Sequence, residues 1–90
     1  MKTEDTLRNE IEKWTKKIGE ELENIEVYGA KGREFLANIK AYVSDSAHFL
    51  EKNDLVRSFE AIVWAWAWLE IGKQLEFMAQ EFVDIKRLRK

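Results

Sequence analysis

The sequence contains no cysteine and no proline, and only one histidine and four glycines occur among its 90 residues. Without cysteine the chain forms neither disulfides nor thiolate metal sites, and nothing suggests an oxidising compartment, so we expect a cytoplasmic protein. The longest apolar run is the nine residues 61–69, far short of the ~20 that cross a bilayer. The first residues also lack the pattern of a signal peptide. We therefore expect neither secretion nor membrane association.

Neither sign of charge dominates, because 15 lysines and arginines accompany 17 aspartates and glutamates, for a net charge of -2. Such a chain has no long-range field that would steer it towards nucleic acid. Hydrophobic residues make up 46% and charged residues 36%, a balance typical of amphipathic helices around one apolar core. This length predicts a single domain spanning residues 1–90.

Three segments, 5–26, 33–52 and 55–87, have the apolar periodicity of amphipathic helices. The breaks between them are residues 27–32, which contain two glycines, and the turn 52–54. Asn53 suits the left-handed end of a helix, and Asp54 suits the N-cap of the next one. A turn this short makes the helices on either side antiparallel. We predict an all-α, three-helix bundle whose long C-terminal helix forms an antiparallel helical hairpin with helix two.

The third predicted helix carries two apolar stripes on opposite faces. At 100° per residue, Trp66 points roughly 160–200° away from Trp64 and Trp68, so helix three needs two neighbours. We expect helix two to cover the stripe that contains Trp66. Helix one then covers the N-terminal part of the other stripe, which contains Trp64 and Trp68.

The C-terminal part of that second stripe extends beyond the hairpin, because predicted helix three is longer than helix two. An uncovered apolar seam favours self-association as a homodimer, or docking of a helical partner protein. The alternative is that helix one is offset and covers the seam within one chain. The candidate interface comprises Trp64, Trp68, Ile71, Leu75, Met78, Phe82 and Ile85.

A cluster of basic residues ends the chain: Lys86, Arg87, Arg89 and Lys90. These side chains could contact phosphate, which makes a nucleic-acid-associated accessory protein the alternative function. Cations in this position also stabilise the carboxyl end of a helix. Salt dependence separates the two functions, because phosphate binding weakens as salt rises and an apolar interface does not.

No set of residues predicts catalysis, a metal site or a cofactor. His48 lies near Asp45 and Glu51 on a helix, yet it falls on the polar face, and a single imidazole is too little for a metal site. No glycine-rich phosphate loop or nucleophile motif is present. We predict a protein that is not an enzyme, with a hydrolase of unrecognised type as the alternative.

Residues 42–54 (YVSDSAHFLEKND), 58–61 (SFEA) and 68–72 (WLEIG) resemble the archaeal family called domain of unknown function 357. In that family a tyrosine, an aspartate and a phenylalanine precede a tight turn, as Tyr42, Asp45 and Phe49 do here. Asn53 stands where the family has a glycine. The resemblance implies an archaeal, cytoplasmic, helical protein without an established activity, ligand or cofactor. A role for Tyr42 and Asp45 beyond helix packing stays open.

Overall fold

The protein folds into three helices and one short β-ribbon in a computed structural model that describes residues 2–80. The elements in chain order are α1 (Lys2–Glu23), β1 (Ile25–Val27), α2 (Gly29–Glu51), α3 (Leu55–Gln74) and β2 (Met78–Gln80). Helices α2 and α3 pack along their lengths, and α1 packs against α3. The predictions of an all-α bundle and of an antiparallel hairpin between helices two and three are confirmed. No helix among the described residues is apolar over a stretch long enough to span a membrane.

The core lies where the three helices and β2 meet. Ile11 and Ile18, seven residues apart on α1, are fully buried, as expected for one narrow apolar stripe. The cluster at the centre of the molecule consists of Ile18, Ile39, Ile62, Ala65, Leu69 and Met78.

Helices α2 and α3 approach closely because small residues line their contact. Ser46 and Ser58 are both buried, and each hydroxyl donates a 2.8 Å hydrogen bond to the other residue's carbonyl oxygen. Since both hydroxyls have partners, the contact buries polar groups without leaving any of them unsatisfied. The serine pair therefore joins the two helices near the turn that connects them.

The turn between α2 and α3 matches the sequence prediction. Asn53 has φ +62°, and the N–H of Asp54 donates to the carbonyl of Phe49 at 2.8 Å. The Asp54 carboxylate then accepts from the backbone N–H of Arg57 at 3.3 Å, so that it caps α3. The helix end and the cap proposed at these two positions are confirmed.

The predicted continuation of helix three to residue 87 is wrong for residues 75–80, because α3 ends at Gln74. Glu76 has φ +64°, and the N–H of Phe77 donates to the carbonyl of Gly72 at 2.9 Å. This bond closes the end of α3 in the same way as the bond from Asp54 to Phe49 closes the end of α2. Residues 81–87 lie outside the described part of the chain.

After this turn the chain reverses and pairs with the segment that follows α1. Strands β1 and β2 are antiparallel, with Ile25 opposite Gln80 and Val27 opposite Met78. The pairing ends α1 at Glu23 rather than at residue 26, and helix α2 begins at Gly29 rather than at residue 33. The stretch predicted as a loop is therefore mostly strand and helix.

The tryptophans of α3 contact two neighbouring helices, as predicted, but the two helices are exchanged: Trp66 contacts α1, whereas Trp64 and Trp68 contact α2. Trp66 packs edge-to-face on Trp14 of α1, with ring centroids 5.6 Å apart, and its indole N–H donates to the Trp14 carbonyl at 3.2 Å. Trp68 packs edge-to-face on Phe35 of α2, with ring centroids 4.7 Å apart, and Trp64 stacks on Tyr42 of α2. The assignment was reversed because the small residues of α3 face the core and place the tryptophans on its flanks.

Candidate functional site

The side of α3 that faces away from the core presents large apolar side chains to solvent. At 100° per residue, Val56, Val63, Trp64 and Ile71 fall within an arc of about 100°. Trp64 is 56% exposed, Ile71 46% and Leu75, just past the helix end, 55%. We call these five residues the outer face of α3. Large apolar side chains grouped on one exposed side of a helix, here with Glu60 among them, are typical of a contact with another molecule.

The interface residues predicted from the sequence lie in different surroundings in the structure. Trp64, Ile71 and Leu75 lie on the outer face, and Trp68 is half-buried against Phe35. Met78 is only 1% exposed and belongs to the core, so its assignment to an open seam is wrong. It follows the helix end and lies on β2, which turns it inward. Phe82 and Ile85, with the basic residues Lys86, Arg87, Arg89 and Lys90, lie outside the described residues.

A cleft of about 340 Å³ opens between α2 and α3 beside the outer face. Its lining residues are Tyr42, Asp45 and Phe49 from α2 and Arg57, Glu60, Ala61 and Trp64 from α3. The Tyr42 and Trp64 rings are nearly parallel, at 22°, with centroids 6.4 Å apart. We call this the Tyr42–Trp64 cleft.

The spacing of the lining residues explains why the hairpin brings them together. On each helix they follow the three- and four-residue steps that keep side chains on one face. Tyr42 and Trp64 each lie eleven residues from Asn53, and Phe49 and Arg57 each lie four residues from it. Antiparallel packing about that turn therefore places each pair side by side. Sequence patterns single out Tyr42 and Asp45 but do not connect them with Arg57 and Glu60, which this symmetry would have done.

A second cleft, of about 420 Å³, lies between α1, α3 and β2. Trp14, Lys17, Glu20, Glu21, Trp66 and Gln80 line it. Most of its polar groups already have partners: Lys17 lies over the Trp14 ring, and Glu21 accepts hydrogen bonds from Lys73 and Gln80. Sequence patterns did not reveal this cleft, because it depends on the unpredicted strand β2.

His48 is exposed, and its ring contacts Phe49, which lies beside it in sequence. Across the part of the chain that the structure describes, no three histidine, aspartate or glutamate side chains are grouped closely enough to hold a metal ion. Nothing in the described residues indicates catalysis. The fold and its surfaces define a small α-helical protein with an exposed apolar helix face and open clefts between its elements.

The chain belongs to the family described as a protein of unknown function (DUF357), whose sequence profile matches residues 13–78. This confirms the resemblance seen in residues 42–72. No curated protein matches the chain.

The fold is also that of a crystal structure of a protein from Archaeoglobus fulgidus, assigned to the same family. The two chains are 49% identical, and the alignment covers 87% of this chain and 97% of the other, with a TM-score of 0.79.

Proposed function

We propose that the protein is a non-catalytic helical interaction module that forms a homodimer through the outer face of α3. The observation that carries this proposal is the exposure of Trp64, Ile71 and Leu75 beside Val63 on one side of one helix. Covering such side chains is favourable by about 25 cal/mol for each Å² of apolar area removed from water.

The arrangement of the outer face favours a second copy of the chain as its occupant. Val63 and Ile71 lie four residues on either side of Ala67, which is small enough to allow close approach of two helices. In an antiparallel pair with its two-fold axis at Ala67, Val63 faces Ile71 of the partner subunit twice. A self-complementary patch of this kind is what a two-fold dimer requires.

Light scattering over a concentration series tests the proposal. We expect the wild-type chain to reach twice its monomer mass of 10.7 kDa. Ile71→Asp should raise the dissociation constant at least about 100-fold, because a carboxylate would be buried in an apolar contact.

Ala41→Asp is the matched control, since it places the same charge at an exposed position on α2. Circular dichroism should show that both variants keep the wild-type helicity. A wild-type mass of 10.7 kDa at every concentration, or the same dimer constant for Ile71→Asp as for Ala41→Asp, would refute the proposal.

A further inference from the structure

The walls of the Tyr42–Trp64 cleft are aromatic. Tyr42 and Trp64 stand nearly parallel at one end, and Phe49 lies at the other. Ala61 contributes only a methyl group between them, which leaves room beside the rings. Aromatic faces carry partial negative charge, so a cleft with such walls favours cationic groups.

Two carboxylates line the same cleft. Asp45 and Glu60 are exposed, and neither forms a hydrogen bond or an ion pair with any residue that the structure describes. The Tyr42 hydroxyl and the Trp64 indole N–H also have no hydrogen-bond partner within residues 2–80. The cleft thus combines apolar walls with polar groups that are available to a ligand.

Arg57, the cation that lines the cleft, already has two partners. The Arg57 guanidinium lies 3.6 Å from the carboxylate of Asp54, which is outside the cleft, and 5.8 Å from the centre of the Phe49 ring. It forms no ion pair with Asp45 or Glu60, so both carboxylates stay available to a ligand. Its position over Phe49 also shows that a guanidinium fits against this aromatic wall.

We infer that the Tyr42–Trp64 cleft binds a guanidinium group, held between the aromatic rings and the carboxylates of Asp45 and Glu60. A guanidinium is planar, stacks on aromatic faces and directs its N–H donors in a fork that suits carboxylates. A volume of about 340 Å³ accommodates such a group with a short aliphatic stem. The source is either a free guanidinium compound or an arginine side chain of another protein.

Titration with methylguanidinium, followed by the indole N–H signals in a ¹H–¹⁵N NMR spectrum, tests this inference. We expect the Trp64 signal to shift saturably, with half-saturation at about 1–10 mM. The Trp14 signal should stay in place, because Trp14 lies on α1 away from this cleft. Methylurea, which is flat but uncharged, should leave the Trp64 signal unchanged.

Substitutions of Asp45 and Glu60 test whether binding requires the charges of these two carboxylates. Asp45→Asn and Glu60→Gln should each weaken binding roughly three- to tenfold, whereas Glu70→Gln, an exposed glutamate on the same helix as Glu60, should not change it. Equal shifts with methylurea, or unchanged affinity in both Asp45→Asn and Glu60→Gln, would overturn the inference.

Two further titrations identify the source of the guanidinium group and test the site in a monomeric variant. A blocked Gly-Arg-Gly peptide that binds as well as methylguanidinium indicates an arginine side chain as the source, and a peptide that binds at least tenfold more weakly indicates a free compound. The inference does not rest on self-association. Because Trp64 belongs to the outer face as well as to the cleft, Ile71→Asp, in which the outer face stays uncovered, should bind methylguanidinium at least as tightly as the wild type. Complete loss of binding in that variant would overturn the inference.

Discussion

Two glycines of the same sequence meet very different surroundings. Gly19 lies on the exposed side of α1, where an added Cβ would meet no atom within 4 Å. Gly32 lies at the start of α2, where a Cβ would be 2.6 Å from the carbonyl oxygen of Phe77. That carbonyl also accepts the N–H of Tyr28 at 2.8 Å, so it has little freedom to move. The close approach of these two backbones requires glycine at position 32.

Alanine substitutions at the two glycines should have opposite effects. Gly19→Ala should raise the free energy of unfolding by roughly 0.5–1 kcal/mol, because alanine is the better residue in a helix. Gly32→Ala should lower it by about 1–3 kcal/mol through the clash with Phe77. Urea denaturation of both variants beside the wild type measures the two changes. A Gly32→Ala variant as stable as the wild type would show that the contact relaxes freely.

At the scale of secondary structure, α2 and α3 end in the same bond pattern but with different residues. Asn53 has positive φ after α2, and Glu76 has positive φ after α3. Asparagine is common in this conformation and signals a helix end, whereas glutamate is not. This difference explains why the first helix end was predicted correctly and the second was missed.

The strained residue at the end of α3 leads to a stability prediction. Glu76→Gly should raise the free energy of unfolding by about 1 kcal/mol, because glycine adopts positive φ without a steric penalty. Glu70→Gly, within the exposed side of the same helix, should lower it by about the same amount. Thermal and urea unfolding of the two variants would test the sign. A loss of stability in Glu76→Gly would mean that the glutamate side chain supports the turn.

At the scale of the whole molecule, Glu21 connects three elements. Its carboxylate accepts from Lys73 of α3 at 2.7 Å and from Gln80 of β2 at 2.8 Å. The Gln80 side chain also donates to the backbone carbonyl of Glu21 at 3.0 Å. These bonds hold the β-ribbon, and with it the buried Met78, against α1 and α3.

Removing this connection should loosen the ribbon more than the bundle. In Glu21→Ala we expect amide hydrogens of β1 and β2 to exchange about tenfold faster, since two partly buried polar bonds are lost. Exchange in the centre of α3, around Ile62, should change much less. Glu20→Ala is the control, because Glu20 is exposed and bonds to neither Lys73 nor Gln80. Equal exchange in the two variants would show that packing of Met78 alone holds the strand.

Most of the fold was predictable because it depends on local signals. Apolar spacing identified the helices, and Asn53 and Asp54 identified the turn that makes α2 and α3 antiparallel. Only part of the candidate site was predictable: Trp64, Ile71 and Leu75 belong to the predicted interface and are exposed in the structure, but Arg57 and Glu60 were not connected with Tyr42.

The sequence by itself determined the helix content, the hairpin and the family, because each rests on residues close together in the chain or on a motif around one turn. Only the tertiary structure decided that Met78 is buried and that Trp66 packs on α1. The burial of Met78 depends on a strand pairing between residues 25–27 and 78–80, and the Trp66 contact depends on the packing of α1 on α3; each joins residues more than fifty positions apart. Short strands of three residues leave little periodicity to read, and their pairing is favourable only once the helices have brought them together.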